Sequence, residues 1–332
     1  MNPKNLICRL SNSFIKKVPM IRFFLSQVFQ PYIIMPIKAH LLVAQFSKAF
    51  NDKKTIVLTY ETAISPPTFG DFLNLVMLAR YLILSGKRVK IRIIDTGPRK
   101  GIYNLKDSDH HFILKEYLRI SNRILGNEET TTIEPVMGLA TNEIAFNSRV
   151  MFSHAPKVMG ILRRWYGWTI PIDFLLSSNK NLKQKPYVTW HLRAGVWAKD
   201  RNSNLYDLIE GYKYLRKNFP NYSIMIITPK KDWPRFSKAL KSIHDSLFDN
   251  SSKLNILPQP RYGFANTISL ILKSEFHYQY NGGGVATIAH YSNIPYLIIA
   301  KDSNYEFNFF GKSYIGLRHP QQKFTRLKRY SF

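Results

Sequence analysis

The first regular pattern along the chain is a short apolar run, a loop and a segment with helical spacing. The run TIVLTY at Thr55–Tyr60 is rich in β-branched residues and indicates a buried strand. The loop ETAISPPTFG contains Pro and Gly, and FLNLVMLARYLILSG then has helical spacing and ends at Gly86. VKIRIID at Val89–Asp95 indicates a second strand. Strand, loop, helix and strand in this order predict a parallel α/β sheet.

The same alternation restarts after the polar segment SSNKNLKQK at Ser177–Lys185. Strands are predicted at YVTWHL, SIMIIT, LNIL, EFHYQY and PYLIIA, and helix-like segments separate them. Repeated strand–helix alternation is typical of a doubly wound domain. We therefore predict an α/β fold with two tandem Rossmann-like domains, at 53–178 and 186–320. A basic amphipathic helical leader at 1–52 precedes them, and a basic tail at 321–332 follows.

The net charge is strongly positive, because 48 Lys and Arg residues face 21 Asp and Glu residues, giving +27. Such a charge attracts polyanions, whether nucleic acid, anionic lipid or phosphorylated small molecules. A Lys- and Asn-rich composition spread over a solvated surface accounts for the same excess without any partner. Charge alone therefore does not select the partner.

The leader has no uninterrupted apolar run of the roughly 18–20 residues that crossing a bilayer requires. Its apolar pieces are interrupted by residues such as Arg22, Pro31 and Lys38. It suits either an anionic membrane surface or packing against the body of the protein. Cys8 is the one cysteine, so no disulfide within the chain is expected, as in a reducing cytosol. We expect a cytoplasmic protein, with peripheral association at the inner face of the cytoplasmic membrane as one alternative.

Three consecutive glycines in YNGGGVATIAH lie between a predicted strand and a predicted helix. Ligands of open parallel sheets bind at the carboxyl ends of the strands, and helix N-termini bind phosphate. Glycine allows a phosphate to approach the backbone closely. The segment therefore predicts a diphosphate site formed by Asn281, Gly282, Gly283 and Gly284, with the hydroxyl of Thr287 one turn later. The alternative is a tight turn without a ligand.

A second basic segment, YVTWHLRAGVWAKDRNSN, follows the first strand after the polar segment. His191 and Arg193 are two residues apart at the strand end, so their side chains share a face. Arg201 follows in the loop, and guanidinium groups suit bidentate contacts with phosphate. The alternative is pairing of the arginines with surface acids, namely Asp200, Asp207 or Glu210. Both segments are predicted to lie at the same edge of one sheet.

Two stretches carry a resemblance to a known family: YVTWHLRAG with RNSNL, and YNGGGVATIAHYSNIPYLII. They resemble the donor-binding domain of bacterial cell-surface polysaccharide glycosyltransferases of GT-B type, in fucosyltransferase-like and heptosyltransferase-like members. ISPPTFGDFLNLVMLARYLILSGKRVKIRIID resembles the opening of polysaccharide-cluster proteins of this sort. The resemblance implies sugar transfer from a nucleotide-sugar donor to a glycan or lipid-linked acceptor. It also implies a cleft between two Rossmann-like domains, without a bound metal or other cofactor.

The chemistry of this transfer assigns expected roles to the residues. Negative charge develops on the leaving phosphate, and arginines and backbone N–H groups stabilise it. Arg193, Arg201 and the Gly282–Gly284 amides are expected on the diphosphate, and His191 is expected to hydrogen-bond phosphate or sugar. An inverting transfer also needs a base for the acceptor hydroxyl. Asp71 and Glu61 are the candidates.

Alternatives to these roles stay open. Asp71 also fits a first-turn helix acid that accepts backbone N–H bonds. His154, after RVMFS, is a weaker base candidate. Asp107-Ser108-Asp109 is a DxD, the metal-binding pattern of another glycosyltransferase architecture, but the surrounding sequence does not resemble that architecture.

Two rival functions are compatible with the composition. The first is nucleic-acid binding, which the charge allows, although the basic residues are scattered and no nucleic-acid module is recognisable. The second is a catalytically inactive GT-B-like protein that binds sugar nucleotides. Nucleic acid is not the expected partner.

Overall fold

The structure is a computed structural model of the 332-residue chain. It describes residues 44, 54–63, 65, 67–98, 106–126, 130–136, 138–147, 172–177, 186–194, 202–247, 254–280, 283–300 and 322–326. Almost all of the predicted leader and most of the predicted tail lie outside the described residues. Within the described ranges, no helix combines the length and apolar character that a bilayer crossing requires.

The first sheet contains four parallel strands in the order β3-β2-β1-β4. The strands are β1 (Thr55–Glu61), β2 (Val89–Ile94), β3 (Thr131–Glu134) and β4 (Glu143–Asn147). The accompanying helices are α1 (Phe69–Leu84) and α2 (Asp107–Leu125). β1, α1 and β2 confirm the predicted strand–helix–strand unit. The sequence pattern does not predict β3 or β4.

The second sheet contains six parallel strands in the order β10-β9-β8-β5-β6-β7. The strands are β5 (Tyr187–His191), β6 (Ser223–Ile227), β7 (Ile256–Pro258), β8 (His277–Tyr280), β9 (Tyr296–Ala300) and β10 (Gln322–Arg326). The helices are α3 (Leu205–Asn218), α4 (Trp233–Leu247), α5 (Phe264–Leu272) and α6 (Gly284–His290). Short 3₁₀ turns lie at Ile172–Phe174 and Lys230–Asp232.

The order of the second sheet is that of a doubly wound fold. Counted from β5, the strands stand 3-2-1-4-5-6, and the order reverses between β5 and β8. Ligands of such sheets bind beside this reversal, at the edge formed by the carboxyl ends of the strands, here called the carboxyl edge. β10 lies inside the segment predicted as a basic tail, so Gln322–Arg326 belongs to the sheet.

One cluster of buried apolar side chains spans both sheets, and the second sheet has further clusters of its own. The cluster that spans both sheets includes Phe72 and Leu75 of α1 together with Ile268 of α5 and Ile288 of α6. Phe69 stacks on Phe264 with ring centroids 5.0 Å apart. The described parts of the two sheets therefore pack through their helices, with α1 crossing α6.

Candidate functional site

Two backbone turns of the second sheet meet at its carboxyl edge. Gly283, between β8 and α6, has φ +149° and ψ −178°, a conformation that only glycine adopts readily. A methyl group built on Gly283 would lie 2.8 Å from Nη1 of Arg193, just beyond β5. Arg193 and Gly283, ninety residues apart in the sequence, are therefore in direct contact. Arg201, Asn281 and Gly282 lie outside the described residues.

The backbone around Arg193 is anchored on both sides. The Arg193 N–H donates to Ser203 Oγ at 2.9 Å, and the Ser203 N–H donates to the Arg193 carbonyl at 3.0 Å. Asn204 and Asp207 then cap α3 reciprocally, with N–H to oxygen distances of 2.9 and 3.0 Å. Leu192 N–H also donates to the Ile227 carbonyl. This bracing holds the Arg193 side chain at the reversal of strand order.

His191 is buried at the same edge and is only 8% exposed. Burial lowers its pKa to about 3, and repulsion from His277, when that ring is protonated, and from the Arg193 guanidinium acts in the same direction. His191 is therefore neutral at neutral pH. Its Nδ1 has no hydrogen-bond partner among the described residues. A neutral ring with an unused nitrogen beside Arg193 is suited to a hydrogen bond with a bound ligand.

His277, on the neighbouring strand β8, continues a buried polar row. Its Nδ1 lies 3.0 Å from Thr189 Oγ1, and its Nε2 lies 3.2 Å from Gln279 Oε1. Burial lowers the pKa of His277 to about 4. The second sheet therefore holds two neutral histidines side by side, His191 and His277, on adjacent strands.

Gln259, which the sequence interpretation missed, lies at the carboxyl end of β7. It is buried, and its Oε1 has no hydrogen-bond partner within the described ranges. The strand register places it on the same face as Ile227 and His191. Thr228, after β6, is also buried with an unpartnered hydroxyl among the described residues, but it faces the other side. Thr228 is the last residue of the predicted strand SIMIIT, and Gln259 lies two residues after LNIL, so a polar residue near a predicted strand end was the available signal for both.

The first sheet contributes the turn before α1. Thr68 caps α1: its Oγ1 accepts the Asp71 N–H at 3.4 Å and donates to Asp71 Oδ2. A methyl group on Gly70 would lie 2.6 Å from the Cα of Gly284. Gly70, the residue before Asp71, is therefore in contact with Gly284, and Asp71 itself serves as a first-turn helix acid. Both alternatives for Asp71 remain compatible with its position.

The remaining predicted residues occupy different places. Thr287 is buried, and its Oγ1 would lie 3.2 Å from a methyl group on Gly70, so it faces α1. Glu61 ends β1, and its carbonyl accepts the Ser65 N–H at 2.9 Å. His154 lies outside the described residues. The fold thus brings together Arg193, Gly283, Gly284, Thr287 and the turn before α1.

The DxD segment lies in the first turn of α2 rather than in a loop. His110 Nε2 lies 2.7 Å from Asp95 Oδ1, at the carboxyl end of β2. Burial raises the pKa of Asp95, but hydrogen bonds from His110 and the Gly97 N–H outweigh it, so the pKa is lowered overall. In the part of the chain that the structure describes, no three His, Cys, Asp or Glu side chains form a metal cluster.

Comparisons with known proteins give matches only among solved structures. No family model matches the chain, and no curated protein matches its sequence. ADP-heptose LPS heptosyltransferase II of E. coli is 12% identical, covers 83% of this chain and 91% of its own, and has a TM-score of 0.42. S. aureus MnaA with UDP is 11% identical, covers 74% and 78%, and has a TM-score of 0.33.

A third similar structure is Methanocaldococcus jannaschii UDP-GlcNAc 2-epimerase in complex with UDP-GlcNAc and UDP. It is 15% identical, covers 74% of this chain and 83% of its own, and has a TM-score of 0.29. Likeness at these values concerns architecture and carries no argument about activity. The strand order itself is consistent with the predicted architecture: two parallel α/β sheets, the second in Rossmann order, form a GT-B-type fold.

Proposed function

We propose that this chain is a glycosyltransferase that moves a sugar from a nucleotide-diphosphate donor to a cell-surface glycan or a lipid-linked acceptor. The observation that supports this most is the contact between the Arg193 guanidinium and Gly283. The contact lies at the carboxyl edge, beside the reversal of strand order, where doubly wound sheets bind ligands.

The diphosphate of the donor is the group that this edge fits. A guanidinium forms bidentate hydrogen bonds with phosphate oxygens, and Gly283 lets phosphate approach the backbone N–H groups of Gly283 and Gly284. Neutral His191 adds a hydrogen bond through Nδ1, which has no partner among the described residues. These groups stabilise the charge that develops on the leaving diphosphate. Arg201, Asn281 and Gly282 are proposed to complete the site.

The nucleoside of the donor is proposed to extend from Arg193 across β6 towards β7. Neighbouring strands are about 4.8 Å apart, so His191 and Gln259 lie about 10 Å from each other across Ile227. Ile227 offers an apolar surface, and the Gln259 amide oxygen offers a hydrogen-bond acceptor. This arrangement suits a ribose or a base placed on one side of the diphosphate.

The acceptor is proposed to bind on the side of the first sheet. Its hydroxyl oxygen forms a bond to the anomeric carbon of the sugar, and the carbon–oxygen bond to the diphosphate breaks. The electron pair leaves with the diphosphate towards Arg193, and the hydroxyl proton passes to a carboxylate. Asp71 is the better-placed carboxylate, because the adjoining Gly70 touches Gly284. Glu61, at the end of β1, is the alternative base.

Nucleotide binding is tested by thermal shift with UDP, GDP and ADP. We expect at least one to raise the Tm of the wild-type chain and to have no effect on Arg193→Ala. Arg123→Ala is the matched control, because Arg123 is exposed and lines a cavity of about 540 Å³ at the far ends of the helices. Stabilisation by single-stranded oligonucleotides alone, lost steeply with salt, would replace this proposal with nucleic-acid binding.

Catalysis is tested by the release of nucleoside diphosphate from a nucleotide sugar in the presence of a glycan or lipid-linked acceptor. We expect release by the wild-type chain and its loss in Asp71→Asn, with nucleotide binding retained. Binding without release, for any donor and acceptor pair, would identify an inactive sugar-nucleotide-binding protein. Loss of release in Glu61→Gln, with Asp71→Asn still active, would transfer the role of base to Glu61.

Peripheral association with an anionic membrane is a separate proposal that the net charge of +27 supports. Co-sedimentation with phosphatidylglycerol vesicles tests it. We expect the full chain to sediment with the vesicles, and a chain lacking residues 1–50 to sediment less. Equal sedimentation of the two chains would remove the role of the leader.

A further inference from the structure

Glu116 is a buried carboxylate of the first half of the chain that contacts the second half. It lies on α2 and is 1% exposed. Its Oε2 accepts the N–H of Ala265, in the first turn of α5, at 3.2 Å. Its Oε1 accepts a hydrogen bond from Nη1 of Arg119 at 2.8 Å. A side chain of one sheet's helix therefore binds the backbone of the other sheet's helix.

A buried carboxylate is costly unless its environment replaces water, and here α5 does so. The first N–H groups of a helix have no partners within the helix, and this end carries partial positive charge. The N-cap residue of α5 is Gly263, which provides no side-chain cap in the described structure. Glu116 takes the place of that cap, from 149 residues away in the sequence.

The backbone of the β7–α5 turn is shaped to let this carboxylate approach. Gly263 has φ +107°, which disfavours any residue with a side chain. A methyl group built on Gly263 would lie 3.0 Å from Glu116 Oε2. The same turn begins at Gln259, whose buried Oε1 has no partner among the described residues and lies at the carboxyl edge. Glu116 thus fixes one end of a turn whose other end faces the proposed donor site.

We infer that Glu116 is a positioning residue for the nucleotide-sugar donor. A residue on a helix of the first sheet, the side proposed to bind the acceptor, then contributes to the affinity for the donor. This inference rests on the proposed function. Glu116 does not touch the donor; it contacts the Gly263 end of the 259–263 turn. In that turn the Arg261 carbonyl accepts a hydrogen bond from Gln259 Nε2 at 3.4 Å, so the turn orients the Gln259 side chain. Loss of Glu116 is therefore expected to weaken donor binding while leaving the chemistry at Arg193 intact. The effect falls on KM for the donor and not on kcat.

Donor kinetics with matched variants provide the first test. We expect Glu116→Ala to raise the donor KM and the Kd of the nucleoside diphosphate about tenfold, with kcat within about twofold. Glu116→Gln keeps an oxygen that can accept the Ala265 N–H, so it should recover part of the affinity. Lys115→Ala is the control, because Lys115 is an exposed residue of the same helix, and KM should stay within about twofold.

Hydrogen exchange provides a second test that needs no nucleotide. In Glu116→Ala we expect faster exchange at the Ala265 amide and across 259–267, with the β8 and β9 amides unchanged. Faster exchange spread over both sheets would indicate general destabilisation and overturn the positioning role. Unchanged exchange with an unchanged KM would also overturn it. If the wild-type chain binds no nucleotide, the proposed function and the donor role both fail, whereas local exchange at Ala265 still supports the anchoring of the turn.

Discussion

Two strand-to-helix turns, one from each sheet, touch each other, and they differ in what lies beside their backbone. Before α1, Thr68 caps the helix and bonds with the carboxylate of Asp71. Before α6, the N-cap is Gly283, with no side-chain cap in the described structure, and its neighbour is the Arg193 guanidinium. The first turn supplies its own anion, whereas the second offers a cation and a bare backbone. Of the two turns, the second has the charge that suits an anionic ligand.

Under the proposed function, the same difference corresponds to the two chemical tasks of a sugar transfer. A carboxylate beside the first turn suits the removal of a proton from an acceptor hydroxyl. A guanidinium beside the second turn suits a leaving diphosphate. Because Gly70 and Gly284 are in contact, the two turns that would carry these tasks adjoin each other. Adding a methyl group to a glycine of either turn tests this comparison most directly.

The largest expected effect is that of Gly283→Ala. Its methyl group would lie 2.8 Å from Arg193 Nη1 and would require φ +149°, so we expect Arg193 to be displaced. Turnover of the nucleotide sugar should fall by about 100-fold, the scale of losing one charge-stabilising donor. Gly86→Ala is the control, because Gly86 also has a positive φ, +78°, but no described atom lies within 4 Å of its added methyl group. Equal losses in both variants would attribute the effect to backbone strain.

Gly70→Ala should have the next largest effect, and it acts on stability. The added methyl group would meet the Cα of Gly284 at 2.6 Å, so α1 and α6 must move apart. We expect the free energy of unfolding to fall by about 2–3 kcal/mol, as for overpacked cores. Urea unfolding measures this, with Gly138→Ala as control, since no described atom is within 4 Å of that site. An unchanged midpoint in Gly70→Ala would contradict the contact between the turns.

The meeting of Arg193 and Gly283 could be predicted from the sequence because local rules suffice for it. Residue parity along β5 places His191 and Arg193 on one face, and parallel strands end at a common edge. The glycine run marks a turn that excludes side chains. Doubly wound order then brings the first and fourth strands together.

Other features have no local signal in the sequence. β3 is short and alternates poorly, with two exposed residues, so its pattern does not indicate a strand. β10 is basic and follows residues outside the described ranges, and only pairing with β9 makes it a strand. Glu116 is an acid on an amphipathic helix, which in sequence resembles a solvent-facing position. Its partner Ala265 is brought close only by the packing of α2 on α5.

Acid should lower the free energy of unfolding through the second sheet, and this effect is smaller than those of the two glycine variants. Burial lowers the pKa values of His191 to about 3 and His277 to about 4, whereas unfolded histidine titrates near 6.5. The unfolded chain therefore binds protons first, and stability is lost as the pH falls below about 6.5. Between pH 7.5 and 6 we expect a loss of about 1.5 kcal/mol for the pair.

The first sheet should respond in a different pH range. Asp95 has a lowered pKa, so its contribution is present above about pH 4 and is lost only as the pH falls further. Tm measured from pH 7.5 down to about pH 2.5 covers both ranges and separates the two sheets. His277→Gln should flatten the slope between pH 7 and 5, and Asp95→Asn should leave that slope unchanged. A flatter slope in Asp95→Asn, with an unchanged slope in His277→Gln, would place the titrating groups in the first sheet.

The smallest expected effect tests whether the first turn is only a cap. Thr68→Ala removes the hydroxyl that bonds Asp71, and loss of an N-cap costs about 1 kcal/mol of the free energy of unfolding. Because the Asp71 carboxylate is retained and Gly70 still contacts Gly284, nucleotide-sugar turnover should stay within about threefold of wild type. Urea unfolding and diphosphate release on the same preparation measure both quantities. A chain of unchanged stability that has lost turnover would show that Thr68 acts on the substrate, and the two turns would then share one site.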